Sequence, residues 1–383
     1  MPAGNLLRAK TLSRFARTQP WLVTDVHAFL VRIPVEPPKG DAIQKFSALE
    51  LPMVRLADAA GNTGVGFGYT IGQGGAAIVT LLRDELLPKL EGQDSRPISR
   101  IHHTLSKSLH ALGPGVVLSN ALAAIDVALW DLNAKRYGVP LHILLGGAQE
   151  SVPIYNTNVG WLSRELDEMI ELSRTAVKRD GFRALKLKVG KPDPQEDVER
   201  VARVRKAVGE NVKLMIDANQ SWTLDEAIRR LKPMEQFNLV WIEEPLLATD
   251  VQGYAELRRH VSIPRAGGES LYDPAYFYEN IRAKALDILQ PDVARVGGIT
   301  PATKVCALAD AANLKVAPHV SPELSLTVAA AVPNSMFIEY IPQMEPVLER
   351  KVRIVNGRAV PPDVPGHGIQ FNQQALEQYE VEI

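Results

Sequence analysis

The stretch "ALKLKVG", Ala184 to Gly190, alternates leucine or valine with lysine. Read as a strand, it puts Lys186 and Lys188 on one face and Leu185, Leu187 and Val189 on the other, because successive side chains point to opposite sides. Two readings follow. An edge strand would leave the lysines solvated, which is where lysine is usually found. A strand covered on both faces would hold two ammonium groups away from water, where they require anionic partners.

The surrounding chain separates these readings. After "LLGG" (144–147), short β-branched runs alternate with amphipathic helical stretches. Eight strand candidates appear: "VPIYNT", "ALKLKV", "VKLMIDA", "LVWIEEP", "IPRAGGE", "LDILQPD", "LKVAPH" and "MFIEY". Eight strands alternating with helices predict an α/β fold, a closed (β/α) barrel of TIM type over 148–345, with an open doubly wound sheet as the alternative. Upstream, residues 21–147 read as strands followed by helices, an α+β capping domain. In it Gly61-Asn62 marks a turn and "LSNALAAIDVALWDLNAKRYG" is a long apolar helix with Gly138 as its stop. Downstream, "KVRIVNGRAVPP" carries the hairpin signal Asn356-Gly357, and the segment 346–383 is expected to return to the capping domain, the hairpin rejoining its sheet.

Charged residues recur at the ends of the strand candidates: Lys186 and Lys188 on the second, Asp217 on the third, Glu243 and Glu244 on the fourth, then Glu269, Asp292, His319 and Glu339. In a barrel these ends converge on one mouth, where active sites of the fold lie. This phase favours lysines facing a ring of acids. Asp217, Glu243 and Glu269 are evenly spaced, 26 residues apart each time, so neighbouring parallel strands would bring three carboxylates together. Like charges at close quarters are tolerable around a hard divalent cation, which suits Mg²⁺, with Mn²⁺ as a substitute; zinc is disfavoured without His or Cys ligands. Glu244, one residue on, should face away. Asp292 can orient His319 by a hydrogen bond to one ring nitrogen, leaving the other for proton transfer.

Composition excludes other classes. The 383 residues carry 43 basic and 44 acidic side chains, a formal charge of -1, and no field suited to nucleic acid or an anionic membrane. No apolar run reads as a bilayer span. Cys306 is the only cysteine, which rules out an internal disulfide and fits a reducing, cytoplasmic setting. Residues 1–20 carry Arg8, Lys10, Arg14 and Arg17 without an acid and read as a disordered basic tail. "GQGGAA" (72–77) fits a dinucleotide fingerprint only loosely, and His102, His103 and His110 sit at no ligand spacing; none is assigned chemistry.

With these motifs in view, the chain resembles the enolase superfamily, mandelate racemase type, over nearly its whole length. The resemblance rests on "AIDVALWDLNAKRYGVPLHILLGG", "KLKVG", "IDANQ", "WIEEP", "GGES", "QPDVARVGG" and "APHVSPE". It implies that Lys188 is a base, that Lys186 lies against the substrate carboxylate, and that Asp217, Glu243 and Glu269 hold magnesium. It also implies a second proton-transfer dyad, Asp292 with His319, and a hydrogen bond from Glu339 to a substrate carboxylate oxygen. "YNTNVGWL" (155–162) and the flanks of "WIEEP" are most similar to galactarate/L-talarate dehydratases; the loop "EPPKGDAIQKFSAL" (36–49) matches less clearly. Asn219, Asn156 and Lys45 are expected substrate contacts, with Lys45 reaching a distal carboxylate. The expected reaction is dehydration of an acid sugar, aldarate or aldonate, to a 2-keto-3-deoxy acid; racemisation or epimerisation is the runner-up. A Schiff-base aldolase and a non-catalytic acid-binding protein are further readings. The expected partner is a small carboxylate, with self-association into a homo-oligomer.

Overall fold

The computed structural model describes residues 19–383, so residues 1–18 of the basic tail lie outside the described residues. Strands β1 (Val23–Gly40), β2 (Lys45–Asp58) and β3 (Thr63–Phe67) form an antiparallel sheet, completed by β14 (Glu380–Val381) in the order β14-β1-β2-β3. The predicted turn between β2 and β3 is held by the Asp58 carboxylate, which accepts from the backbone N–H groups of Ala60 and Asn62 at 2.9 and 3.0 Å, with Gly61 at φ 84°.

Both faces of this sheet are covered, and the two-residue period sorts the side chains. Phe29, Val31, Ile33, Leu51 and Met53 pack into the cluster shared with the barrel, while Ala28, Leu30, Val54 and Leu56 pack on the helical layer. The centre of that layer is the helix Val116–Tyr137. A Cβ on Gly64 or Gly66 would lie 2.1 or 2.2 Å from the carbonyl oxygens of Ala128 or Ala124, so β3 rests directly on helix backbone. Two strand residues advance about 6.6 Å and four helical residues about 6 Å, so alternate glycines match every fourth helical position. Against the sequence expectation, this helix is long and apolar enough to cross a bilayer, but it is buried almost all round, as the core helix of a packed domain is.

The barrel strands are β4 (Val152–Gly160), β5 (Ala184–Lys188), β6 (Lys213–Asp217), β7 (Leu239–Glu243), β8 (Arg265–Gly267), β9 (Ile288–Leu289), β10 (Lys315–Val316) and β11 (Ile338–Tyr340), all pairing in parallel. β11 returns to β4 with Glu339 opposite Tyr155, and a bridge between Val316 and Ser335 joins β10 to the start of the last unit. The sheet is thereby closed. Seven helices intervene, several capped by the side chain before them: Asp193, Thr223, Asp250 and Asp273 each accept a backbone N–H of the first turn. Strands β8 to β10 are shorter than their sequence candidates, because Gly268 at φ 134°, Pro291 and Pro318 end the pairing. Glu269, Asp292 and His319 therefore stand on the turns after these strands.

The C-terminal segment corrects one expectation. β12 (Arg353–Val355) and β13 (Arg358–Val360) form the predicted hairpin, with Asn356 and Gly357 at φ 50° and 74°. β13 does not join the capping sheet; it pairs antiparallel with the start of β4, Ala359 opposite Val152. Val152 and Pro153 have a free edge there because β11 engages β4 only from Ile154 onward. The return to the capping sheet is made by β14, opposite Leu30 and Val31.

Candidate active site

The barrel interior is layered. Ala184, Met215, Trp241, Ala266, Ile288 and Ala317 form an apolar floor with Tyr155, whose ring meets Trp241 edge-on at 5.4 Å. Two residues further along β5, β6 and β7 come Lys186, Asp217 and Glu243, with Glu339 of β11 beside Tyr155 and, one step higher on β5, Lys188. Leu185 and Leu187 face outward into the helical shell. The edge-strand reading of "ALKLKVG" is thus excluded: Lys186 is 0% exposed and Lys188 4%.

Lys186 Nζ lies 2.5 Å from Glu243, 2.8 Å from Glu339 and 3.3 Å from Asp217. One ammonium cannot compensate three buried acids. Glu339 is held down to about 2: burial works against its charge, but Lys186, His319 and Lys188 together outweigh it, and Thr157 Oγ1 and the Val320 N–H donate to it at 2.5 and 3.1 Å. The deficit falls on Glu243, which burial lifts to about 7 despite Lys186. Lys188 Nζ is 2.5 Å from Asp217 Oδ2; burial and Lys186 oppose its charge, yet Asp217, with Glu269 and Glu243, carries its pKa above the ordinary lysine value.

Across the mouth, His319 Nδ1 is 2.7 Å from Asp292 Oδ2, forming the expected dyad. Its Nε2 lies 3.0 Å from Glu269 Oε2. Burial disfavours the charged ring, but Glu269 and then Asp292 raise its pKa to about 10. Arg295 donates to Glu269 Oε1 at 3.0 Å and, from the capping domain, the Tyr69 hydroxyl donates to Asp292 Oδ2 at 2.5 Å.

Lys188 and His319 line one cavity of about 140 Å³, together with Trp161, Asn219, Glu269, Arg295 and, from the capping domain, Asp41, Gln44, Phe46 and Tyr69. The β1–β2 loop does reach over the mouth: a Cβ on Gly190 would stand 2.6 Å from the Ala42 Cβ. Three expectations need correction. Lys45 is exposed, opposite Gly40 in the sheet, and lines none of this cavity; Asp41 and Gln44 take its place because the loop turns on the Asp41 carboxylate, which accepts from Ile43 and Gln44. Asn156 has the parity of the outer face of β4 and accepts from the Val159 N–H at 3.3 Å, whereas Tyr155 and Thr157 face inward. Glu244 was expected to turn away but lines the cavity, since its φ of 37° breaks the strand period, and Gln220 donates to it at 2.8 Å. Asn219, Gln220, Val320 and Ser321 also take positive φ. Strained backbone of this kind gathers where structure is held for function.

Sequence reasoning assigned no role at the dyad to Tyr69 and missed Arg295, Thr157 and Gln290, whose amide donates to Glu243 Oε2 at 2.7 Å. Arg295 follows Asp292 by three residues within "QPDVARVGG", a signal available in the motif; Tyr69 comes from the other domain and has no local signal.

The donor set fits a hard cation. Buried oxygens of Glu244 (Oε1) and Asn219 (Oδ1) have no hydrogen-bond donor, Glu269 Oε2 faces only the His319 ring, and oxygen ligands suit magnesium. Ligand atoms of Glu243, Glu269 and His319 lie within 4.8 Å of one another, while Asp217 is turned to the lysines.

Comparison with known proteins agrees with this geometry. The family described as Enolase C-terminal domain-like matches residues 168–375, and that described as Mandelate racemase / muconate lactonizing enzyme, N-terminal domain, matches 23–146. A 3,6-anhydro-alpha-L-galactonate cycloisomerase of Streptomyces coelicolor is 36% identical over 93% of this chain and 98% of its own length. The L-talarate/galactarate dehydratase of Salmonella typhimurium is 38% identical over 86% of this chain and 81% of its own. The crystal structure of that dehydratase with Mg and L-lyxarohydroxamate superposes with a TM-score of 0.90 at 35% identity, covering 94% of this chain and 93% of the other. A racemase from Streptomyces coelicolor A3(2) with bound magnesium gives 0.90 at 35%, covering 94% and 100%. Closed barrel, capping domain and both family matches together show that this chain belongs to the enolase superfamily, as an enzyme of the mandelate racemase type.

Proposed function

We propose that the protein is a Mg²⁺-dependent dehydratase of an acid sugar, aldarate or aldonate. The observation that carries this reading is the presence of Lys188 and the His319 of the His319–Asp292 dyad on one cavity lined by Glu269, with Asp217 against Lys188 at 2.5 Å and Glu243 beside Glu269 just beyond the lining. The relatives are dehydratases and cycloisomerases of sugar acids, which supports the substrate class over an aldolase or a binding protein.

Asp217, Glu243 and Glu269 would hold the cation. His319 lies close enough to join them, but a hard ion prefers oxygen, and the imidazole already faces two acids. When bound, the cation supplies positive charge at the substrate carboxylate, where negative charge develops as the α-proton leaves. Lys186 adds a second positive charge there. Lys188 takes the α-proton, for which it must be neutral; a partner sharing Asp217 weakens the pull that now keeps it protonated. His319, oriented by Asp292 at 2.7 Å, is placed to give a proton to a departing β-hydroxyl. Hydroxyls along the sugar would meet Asn219, Asp41 and Gln44.

The test is a turnover screen of mono- and diacid sugars with Mg²⁺, read as 2-keto acid and by exchange of the α-proton with deuterium. EDTA should abolish turnover and Mg²⁺ or Mn²⁺ restore it. His319→Asn should keep exchange without dehydration, and Lys188→Met should lose both; exchange in the double variant refutes the assignment. The second reading is epimerisation, favoured by the placement of proton-transfer groups on two sides of one cavity. It predicts deuterated epimer and no keto acid.

A further inference from the structure

From the shared oxygen at the dyad, we infer that Tyr69 is a positioning residue for His319: the hydroxyl of this capping-domain tyrosine fixes the Asp292 carboxylate that orients the imidazole. The inference rests on the proposed role of His319 in proton transfer.

Asp292 uses its two oxygens differently. Oδ1 accepts the backbone N–H groups of Ala294 and Arg295, both at 2.9 Å, which ties it to its own turn. Oδ2 is left for two donors from different domains, His319 Nδ1 at 2.7 Å and the Tyr69 hydroxyl at 2.5 Å. Two donors on one oxygen leave the carboxylate little freedom to rotate, and the imidazole plane follows it.

Tyr69 is itself held on three sides. Its N–H donates to Asn120 Oδ1 at 2.8 Å, and Asn120, fully buried, donates to the Val116 carbonyl within the long helix. Gly68 lies against Asn120 so closely that a Cβ there would sit 2.7 Å from Oδ1. The Arg295 guanidinium stands 5.2 Å from the Tyr69 ring centre while also binding Glu269. Burial, the larger cause, and the nearby acids keep the phenol well above its ordinary pKa, so it stays a donor. A barrel-borne dyad is thus completed by the other domain, and its alignment depends on how that domain is seated.

The test compares Tyr69→Phe, which keeps the ring, with the wild type as full-length enzyme loaded with Mg²⁺. Dehydration kcat should fall by roughly 10- to 100-fold, the size of loss seen when the outer hydrogen-bond partner of a liganding side chain is removed. KM and Lys188-dependent deuterium exchange should be unchanged. A purely structural role would lower exchange and dehydration together and shift the melting temperature, and that result overturns the inference, as does wild-type dehydration by Tyr69→Phe. A second arm uses no turnover: in metal-free protein the His319 ring ¹H–¹⁵N resonance, identified by its loss in His319→Asn, should move in Tyr69→Phe. An unmoved resonance also overturns the inference. If the wild type dehydrates no acid sugar while the resonance does move, the functional reading fails and the positioning contact stands.

Discussion

Replacing Lys186 by Met keeps most of the buried stem and removes the charge that three acids share. At an effective dielectric of about 20, each carboxylate 2.5 to 3.3 Å away attracts the ammonium by roughly 5–7 kcal/mol, but burying the ammonium returns much of that gain. Breaking a buried pair by deleting one partner typically costs about 3–5 kcal/mol, because the remaining charge is left uncompensated. Here Glu243 and Glu339 would lose their ammonium at essentially zero exposure, while Asp217 keeps Lys188 at 2.5 Å. We expect Lys186→Met to lose about 3–5 kcal/mol of unfolding free energy at pH 7 without metal, a fifth or more of a typical total of about 5–15. Bound cation should offset part of this, so Mg²⁺ should stabilise the variant more than the wild type. The assay is urea unfolding of both proteins with EDTA or with saturating Mg²⁺. Equal stability in EDTA, or an equal Mg²⁺ increment in both proteins, would refute the charge accounting.

Other outcomes follow from single features. Glu323 is buried, and burial first, then Glu345, raises its pKa to about 7 from 4.5, so the folded state holds the proton that the unfolded chain releases. Stability should therefore decline between pH 4.5 and about 7 by up to about 3 kcal/mol from this group, and Glu323→Gln should lack that decline; parallel stability curves would refute it. Gly66→Ala would drive a methyl into the Ala124 carbonyl and should cost on the order of 3 kcal/mol by thermal unfolding, whereas Gly61→Ala meets no atom and should cost less, through its positive φ alone. Lys45→Ala should leave substrate preference unchanged, since the side chain is outside the cavity, while Gln44→Ala should change KM; the reverse pattern would reinstate Lys45.

Much of the barrel was legible because its physics is local. A two-residue period, β-branched runs and glycine or proline punctuation identify each βα unit, and the recurrence of charge at equal phase identifies the mouth. Where the period fails, the reading fails with it: Glu244 follows a strand end at positive φ, so parity no longer tells which way its side chain points. Asn156 shows the converse, a polar residue whose parity excluded it from the interior despite its place in a family-like motif. The hairpin at Asn356-Gly357 was legible as a turn, but its docking on β4 depended on a free strand edge that arises only once β11 has paired.

The sequence by itself determined the (β/α) barrel, its capping domain and the lysine, carboxylate and histidine set, because these rest on alternation, spacing and residue type along one chain. Only the tertiary structure decided which groups share a proton or a charge. Lys186 serves three acids, Asp292 Oδ2 binds both His319 and Tyr69, and the β1–β2 loop presents Asp41 and Gln44 in place of Lys45. Charge sharing and hydrogen bonding act over a few ångströms between residues as far apart as 69 and 292. No sequence period spans such a distance, and only the seating of one domain on the other brings them into contact.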